Sequence, residues 1–544
     1  MPVWGEETIP VDIFQGLRIS EVKSDTYCSE FNNVVKVEES ELTVREDLVW
    51  IQAPTATYSR AIPTTSPIPR NIGARDLEVF TAVGSPTADS PSLLMFLDDA
   101  TILNCTWLNC NSLTPSSIVQ TCTATHGVKA FVQVRDRYYG SNGSNKIFQI
   151  SGFTTAATPL VFTDIAAVGV NHLLAFKNRV FGFTGNRIYY TDLPGIGLYP
   201  DVWNLVTNFI DLPSLDFSVT IHNVRVYKDK IYMFTDKGIY YLQANGDPVN
   251  WSVQLISANF PIYDRDSICI NKNLIFLTDQ SNLYSFDGSN FKKIQNASSL
   301  FYDVNGSSSG TSEFYSIVNV YPYEEGIAVV KQAYAGIAGS YTAFNSYTYY
   351  YDLNVWSTLS VNVNAPGQVD QAVGFLKIGT NLTPFRGTYA SSYIYYIKSG
   401  PVARCLFLDT GKWLGDRMST TVGAARVTKY FRIVSPVVKL KSRFFTKIKG
   451  LVMYAKFNLA DTVSMALNGD AMAIADQQAA SVNEIRIRMS TTGGQFIPQG
   501  AAWVTISGDV TPDRTNAGII PALRIFGIDA IANLDQRGPS EKIT

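Results

Sequence analysis

The feature that most constrains this chain is an internal repeat. Three consecutive stretches follow one pattern: LLAFKNRVFGFTGNRIYYTDL over residues 173–193, VRVYKDKIYMFTDKGIYYLQANG over 224–246 and SICINKNLIFLTDQSNLYSFDG over 267–288. Each reads as a hydrophobic strand, a polar turn, a second strand, a second turn and a third strand carrying an aromatic residue. The first turns are Lys177-Asn178-Arg179, Lys228-Asp229-Lys230 and Asn271-Lys272-Asn273; the second are Thr184-Gly185-Asn186, Asp236-Lys237-Gly238 and Gln280-Ser281-Asn282. The third strands carry Ile188-Tyr189, Ile239-Tyr240 and Leu283-Tyr284. Looser copies lie at 127–152 and in the segments ending at Tyr349-Tyr350-Tyr351-Asp352 and Ile394-Tyr395-Tyr396, with a weaker one, SLLMFLDD, at 92–99. From Phe148 to Tyr395 this makes six aromatic anchors, spaced by roughly 40 to 65 residues, the range of four-stranded repeat units. One small antiparallel sheet cannot bury both of its faces, whereas sheets stacked in a ring bury both and leave only short edges. The expected fold is therefore all-β, a β-propeller of six blades, with seven as the alternative.

Outside the repeat the pattern changes. Residues 1–70 are not repeat-like and end in the Pro- and Thr-rich stretch 53–70, which reads as an N-terminal extended arm. Residues 71–415 hold the propeller. Residues 416–544 show longer alternating strands, such as VVKLKSRFFTKIKGLVMYAKF and EIRIRMS, and read as a C-terminal β-sandwich-like region packed on it. Helical patterning is nearly absent; the best amphipathic candidate is 465–480, rich in Ala and Met, read as a short helix or a loop.

Composition narrows the functional classes. The chain has 544 residues, 46% of them hydrophobic and 12% aromatic, so it buries a large core. Charged residues are only 17%, below the usual quarter or so, which fits a surface partly covered by partners. A net charge of -2 argues against a general nucleic-acid binder, which carries a basic excess. The opening MPVWGEETIPVDIF has neither a basic nor an apolar signal region, and no apolar run of about 18 residues occurs, so neither a signal peptide nor a membrane span is expected. The six cysteines, Cys28, Cys105, Cys110, Cys122, Cys269 and Cys405, form no CxxC pair, and with only three histidines they are read as free structural thiols. Asn142-Gly143-Ser144 reads as a turn rather than a glycan site.

No catalytic constellation emerges, and no catalytic, cofactor-binding or metal residue is expected. There is no GxSxG or HExxH, Gly411-Lys412 lacks the earlier glycine of a phosphate-binding loop, and Gly195-Ile196-Gly197 lacks the third glycine of a dinucleotide fingerprint and reads as a turn. Propellers also carry glycosidases, so carboxylate pairs were weighed: Asp98-Asp99, Asp264 with Asp266, and Glu324-Glu325 all read as turns or solvated faces. Ser285-Phe286-Asp287-Gly288 reads as an Asp-Gly turn.

One charge pattern stands out. Residues 417–460 hold no acidic residue and ten basic ones: Arg417, Arg426, Lys429, Arg432, Lys439, Lys441, Arg443, Lys447, Lys449 and Lys456. Lys439, Lys441, Arg443, Lys447 and Lys449 alternate with apolar residues, which on a strand places them on one face. That face is either solvated or turned to something negative, a DNA phosphate track or an acidic protein surface. Residues 21–47 have the opposite sign, with Glu21, Asp25, Glu30, Glu38, Glu39, Glu41, Glu46 and Asp47 against Lys23, Lys36 and Arg45. The two segments are expected to meet, within one subunit or between neighbours, and reversing Lys439, Lys441 and Arg443 is then expected to weaken assembly.

The run at 176–213 resembles a blade of phage tail proteins, on Arg179-Val180-Phe181, Gly185 to Asp192, and Asp201-Val202-Trp203. Phe14-Gln15-Gly16-Leu17-Arg18, Asn32-Asn33 and Val44-Arg45 resemble the opening of such proteins. The family is the nozzle, or packaged-DNA stabilisation protein, of podovirus-type tails. The resemblance implies a structural virion protein of the phage tail and no enzyme. It implies a homohexameric tube below the portal and its adaptor, the head-tail connector protein. Such a tube extends the DNA channel, retains the genome, passes double-stranded DNA without sequence-specific binding and offers attachment surface for tail fibres or spikes. The competing readings are a receptor-binding or fibre-anchoring propeller of the virion and a glycan-degrading propeller enzyme.

Overall fold

The computed structural model describes residues 5–17, 27–44, 48–51, 74–81, 91–97, 101–106, 116–121, 126, 129–135, 137–151, 161–213, 219–258, 260–262, 267–279, 281–297, 300–303, 314–315, 317–323, 326–335, 340–359, 372–377, 393–399, 403–409, 429–436, 446–456, 462–467, 470–471, 473–481, 484–497, 503–510 and 523–534. Over these the protein is all-β; the one helical element is a single 3-10 turn, Pro248–Asn250.

Six four-stranded sheets are present, and every one is antiparallel. In chain order the first unit runs Ala74–Thr81, Pro91–Leu97, Thr101–Thr106, Ser116–Thr121. The second runs Ala130–Val134, Arg137–Ser141, Ile147–Ser151, Val161–Ala166. The third runs His172–Phe176, Arg179–Thr184, Arg187–Tyr190, Phe209–Asp211. The fourth runs Ile221–Tyr227, Lys230–Thr235, Gly238–Gln243, Ser252–Ser257. The fifth runs Ile268–Asn271, Leu274–Thr278, Leu283–Phe286, Phe291–Lys293. A sixth meander, Ile317–Tyr323, Gly326–Ala335, Ser340–Tyr350, Val355–Thr358, has the same up-and-down order but opens a nine-stranded sheet. The last unit joins Ala372–Lys377, Tyr393–Ser399 and Ala403–Asp409 to a strand from far upstream, Leu48–Ile51.

The repeated turns are set by backbone geometry. The first two strands of the third, fourth and fifth units are joined by Lys177-Asn178, Lys228-Asp229 and Lys272-Asn273, and all six residues have positive φ, between 45° and 61°. Two consecutive left-handed residues are the signature of the hairpin turn whose twist matches that of its strands, and Asn or Asp tolerates that conformation best after Gly. The strands then alternate. In the third unit Leu173 and Val180 pack with Ala130, Tyr139 and Ile147 of the second. Phe176, Phe183 and Ile188 pack with Val224, Ile231 and Met233 of the fourth. The fourth in turn sends Tyr232, Phe234 and Ile239 against Ile268, Ile275 and Leu277 of the fifth. Both faces of these sheets are thus buried, each against a neighbour. Side chains on the turns add links between units: Lys177 Nζ donates to Asp229 Oδ2 at 2.7 Å, Tyr227 Oη to the Asn273 carbonyl at 2.5 Å, and Lys272 to Asp352.

The N-terminal segment, expected as an extended arm, is woven into the body. Gly5–Pro10 pairs with Arg524–Leu534, from Gly5 opposite Leu534 to Pro10 opposite Asp529. Val34–Glu38 and Glu41–Val44 join the same seven-stranded sheet, with Thr446–Lys456, Glu484–Ile497 and Ala473–Ser481 beyond. Glu30–Asn32 bridges the sixth meander to the C-terminal strands: Asn32 pairs in parallel with Thr358, and Phe31 lies antiparallel to Ile433. The two large sheets share one core, in which Ile9, Phe31, Leu451, Met453, Met465, Ile506 and Ile528 meet Trp356 of the sixth meander. The described C-terminal strands from Lys429 on lie in two large sheets that strands from the first fifty or so residues complete, and the stretch 53–70 lies outside the described residues.

Residues 465–480 correct the reading as a short helix or loop: Thr462–Leu467 and Ala473–Ser481 are strands. The first pairs with Val504–Val510 and the second with Glu484–Ile497. Ala and Met are good helix formers, but propensity is a weak prior, and pairing with a formed sheet overrides it.

Two outcomes are expected. Trp356 is 1% exposed and its indole donates to the Gln295 carbonyl at 3.1 Å; Trp356→Ala should cost about 3–5 kcal/mol in urea unfolding. Asn273 sits at φ 57°; Asn273→Val should cost about 1–2 kcal/mol because a β-branched residue resists the left-handed region, while Asn273→Gly should not destabilise.

Candidate functional site

The basic strand gives a divided result. Lys439, Lys441 and Arg443 lie outside the described residues, whereas Lys447 and Lys449 fall on the strand Thr446–Lys456 at the middle of the seven-stranded sheet. Lys447 pairs with Phe496 on one side and Asn533 on the other. The register shifts between Ile448 and Gly450, where Ala532 and Ile531 are consecutive on the partner strand, so Lys449 is the extra residue of a bulge. Regular alternation, the premise for one continuous basic face through Lys447 and Lys449, is broken there.

The acidic and basic segments touch at one ion pair among the described residues, Glu30 Oε2 at 2.8 Å from Arg432 Nε; Glu41 Oε1 instead lies 3.1 Å from Arg524, outside the basic segment. Backbone pairing brings them together: Glu30–Asn32 runs beside Lys429–Val434, and the side-chain Nδ2 of Asn33 donates to the Tyr430 carbonyl at 2.8 Å. The Glu30–Arg432 pair is about half exposed on both sides, so it contributes little next to the apolar core beneath it.

Several expected turns are turns. Asp287 Oδ1 accepts the Ser289 and Asn290 amides, both at 2.8 Å, and these bonds hold its carboxyl below the ordinary range. Asn142 Oδ1 accepts the amides of Ser144, Asn145 and Lys146 at 2.9–3.0 Å. Asp98-Asp99, Asp264 with Asp266, Glu324-Glu325 and Gly411-Lys412 lie outside the described residues. Among the described residues no group of three or more His, Cys, Asp and Glu could hold a metal ion. Cys28 and Cys269 are buried free thiols, and burial pushes both up, away from the reactive thiolate. Cys105 and Cys405 lie on strands, and Cys110 and Cys122 fall outside the described residues.

The most distinctive surface feature is the connection between the third and fourth strands of the third unit, residues 191–208. It is long, yet held at many points. The Thr191 hydroxyl accepts the Val180 amide at 3.0 Å and Arg179 donates to the Thr191 carbonyl. Thr191 bridges to Trp203, and the Asp192 amide reaches the Val202 carbonyl at 2.9 Å. Asn208 Nδ2 donates to Asp192 at 2.6 Å, and Asn204 Oδ1 accepts the Val206 amide at 3.2 Å. Asp201 ties the loop to the second unit: it accepts the hydroxyl of the fully buried Tyr139 at 2.7 Å and forms an ion pair with Arg137, whose guanidinium stacks 3.7 Å from the centre of the Tyr199 ring. Burial, then Asp201, raises the Tyr139 phenol, so it stays a donor. Gly195-Ile196-Gly197 is a turn, closed by the Leu198 amide on the Gly195 carbonyl at 3.0 Å with Gly197 at φ 78°.

This scaffold turns apolar side chains outward. Leu193, Ile196, Leu198, Val202 and Val206 are all exposed, Ile196 fully (106%) and Val206 at 82%. The sequence marks Val202 only as part of Asp201-Val202-Trp203 and Ile196 only as part of a turn, Leu193, Leu198 and Val206 not at all, and their shared exposure is not foreseen. The available signal was a run rich in apolar residues without the alternation of a strand, bounded by Pro and Gly. Asn204, Asn208 and Asp192 hydrogen-bond within the loop and Asp201 bonds the second unit, and the largest exposed side chains of the loop are apolar.

No family model matches the chain, and no curated protein matches it. Among solved structures, a computationally designed protein, Ika8, aligns over 66% of this chain and 99% of its own, with 11% sequence identity and a TM-score of 0.33. A likeness that slight carries no argument.

Asp201→Ala removes the acceptor for both Tyr139 and Arg137. Limited proteolysis should then cut within 193–206 at protease levels that leave the wild-type loop intact.

Proposed function

We propose that this chain is a structural protein of a phage tail, a nozzle subunit that assembles with copies of itself into a tube, and that its repeated sheets form a seven-bladed propeller. The observation that carries the functional reading is the loop at 191–208. The residues that resemble tail proteins, Arg179, Thr191, Asp192, Asp201 and Trp203, act as a frame that holds exposed apolar side chains rigid. A stiff apolar projection is chemistry suited to assembly: little side-chain and loop entropy is lost on docking, and apolar area leaves water.

The propeller reading rests on the sheets. Six of them have four strands, a further four-strand meander has the same order, and neighbours from the second to the fifth bury faces against each other. First strands of successive units lie side by side, His172–Phe176 between Ala130–Val134 and Ile221–Tyr227, and Ile317–Tyr323 between Ile268–Asn271 and Ala372–Lys377. Leu48–Ile51, which precedes the first unit in sequence, is the outer strand of the last. That exchange is how a ring of sheets ties its end to its beginning.

In the tail, the assembled tube would sit below the portal and adaptor, pass double-stranded DNA without reading its sequence and hold fibres or spikes on its outer surface. A hexamer is the expected assembly. The test is the mass and negative-stain shape of the purified chain, at high concentration and with an adaptor ring. A closed ring near six times 60.0 kDa with a central channel wide enough for duplex DNA is the expected result. A chain that stays monomeric even with the adaptor, and binds glycan or cell surface, would replace it with the receptor-binding reading; saccharide turnover would replace it with the enzyme.

A further inference from the structure

Most of the exposed large apolar side chains of the described residues fall into two separate groups. One is the loop of the third unit, with Ile196 and Val206 at its most exposed points; Val161, Val249 and Leu255 are exposed singly on the second and fourth units. The other lies on the outer face of the seven-stranded sheet. There Val37 (47% exposed), Phe526 and Tyr454 (both 39%) are exposed next to Leu42, Ile525 and Ala455, which are buried in the core. Register places them at one end of the sheet: Lys36, Leu42, Ile525 and Ala455 pair in one row across four strands, and Val37 and Phe526 are the extra residues of bulges beside that row, next to Tyr454.

The two groups differ in their flanking charge. Beside the loop Arg135 is exposed, its guanidinium 5.8 Å from the Tyr199 ring. On the sheet, Val37 is followed directly by the exposed Glu38 and Glu39. An apolar loop with a cation at its flank complements an apolar face with carboxylates at its rim. Both surfaces are on one chain but in different places, which is what a head-to-tail contact between identical subunits requires and what a two-fold contact does not.

We infer that the loop carrying Ile196 and Val206 docks onto the Val37–Phe526–Tyr454 face of a second copy of this chain, with Arg135 against Glu38 and Glu39. The inference rests on the assembly reading above and names its contact. Repeated around an axis, this interface closes into a ring if its rotation closes and otherwise runs on as a filament.

Two variants test it by sedimentation velocity over a concentration series. The loop variant carries Ile196→Asp and Val206→Asp; the face variant carries Val37→Lys and Phe526→Lys. Each alone should self-associate about tenfold more weakly or worse, as loss of an interfacial anchor does. Mixed, they should form a one-to-one pair that grows no further, because only one intact loop and one intact face remain. That pair also shows that both variants are folded. Should a double substitution shift the melting curve, Ile196→Ala, at a fully solvent-exposed position, replaces it with the same expected direction. Glu39→Arg should weaken association and Arg135→Glu in the same chain should restore part of it. Either variant assembling like wild type, a mixture that stays monomeric although both components melt like wild type, or a wild-type chain that never self-associates overturns the inference. A closed ring that neither variant disturbs keeps the tube and removes this contact; open filaments that both variants abolish keep the contact and remove the tube.

Discussion

The structure depends on one constraint: a four-stranded sheet with apolar residues on both faces has no stable existence in water. Strand alternation in the third unit sends Leu173 and Val180 one way and Phe183 and Ile188 the other. Neither face is polar enough to be solvated, so each must lie against another sheet. Stacking is therefore compelled by the side chains. The turn residues only set its geometry, and the links between turns, such as Lys177 to Asp229, are too exposed to supply much of the energy. The same constraint sorts the surface. Where a sheet edge or a connection leaves apolar side chains uncovered, as at Ile196 and Val206, the exposure is a local departure from the rule that shaped everything else.

Local features of this fold were legible because they are written in consecutive residues. Lys177-Asn178, Lys228-Asp229 and Lys272-Asn273 mark tight hairpins, and all six residues take the left-handed backbone such hairpins demand. Asp287 and Asn142 cap turns as their neighbours suggested. Pairing across long separations was not legible. Glu30–Asn32 has three residues, too few for a period to show, and its partners are Thr358 and Lys429–Val434. Leu48–Ile51 is as short, and nothing within it names Ala403–Asp409 as its neighbour. Residues 465–480 misled because Ala-rich composition speaks for the isolated segment, while the sheet beside it decides.

The candidate site shows the same division. Alternation of basic and apolar residues suggested a charged face, but a single extra residue at Lys449 shifts the phase of the strand, and periodicity cannot reveal a bulge. Of the two oppositely charged segments, Glu30 and Arg432 form one half-exposed ion pair inside the chain, while Lys439, Lys441 and Arg443 lie outside the described residues. The loop at 191–208 was marked by its Asp and Trp, which form the frame, and not by the aliphatic residues the frame displays. Framing residues have fixed geometric roles and so leave a pattern. Exposed aliphatic residues need only be apolar, and leave no more than an apolar run that lacks strand alternation.

The pairing of Gly5–Pro10 with Arg524–Leu534 also governs when the molecule can finish folding. Gly5–Pro10 leaves the ribosome more than 500 residues ahead of its partner strand, an interval of roughly 25–100 s at about 5–20 residues per second. The outer strand of the last unit waits likewise for Ala403–Asp409. Middle units can form hairpin by hairpin as they emerge, but the two seams that join beginning to end are late, non-local closures of the kind that slow a β-protein. Until then the nascent chain carries unpaired edges at both places, and the time spent in that state, more than final stability, sets how readily it aggregates during synthesis.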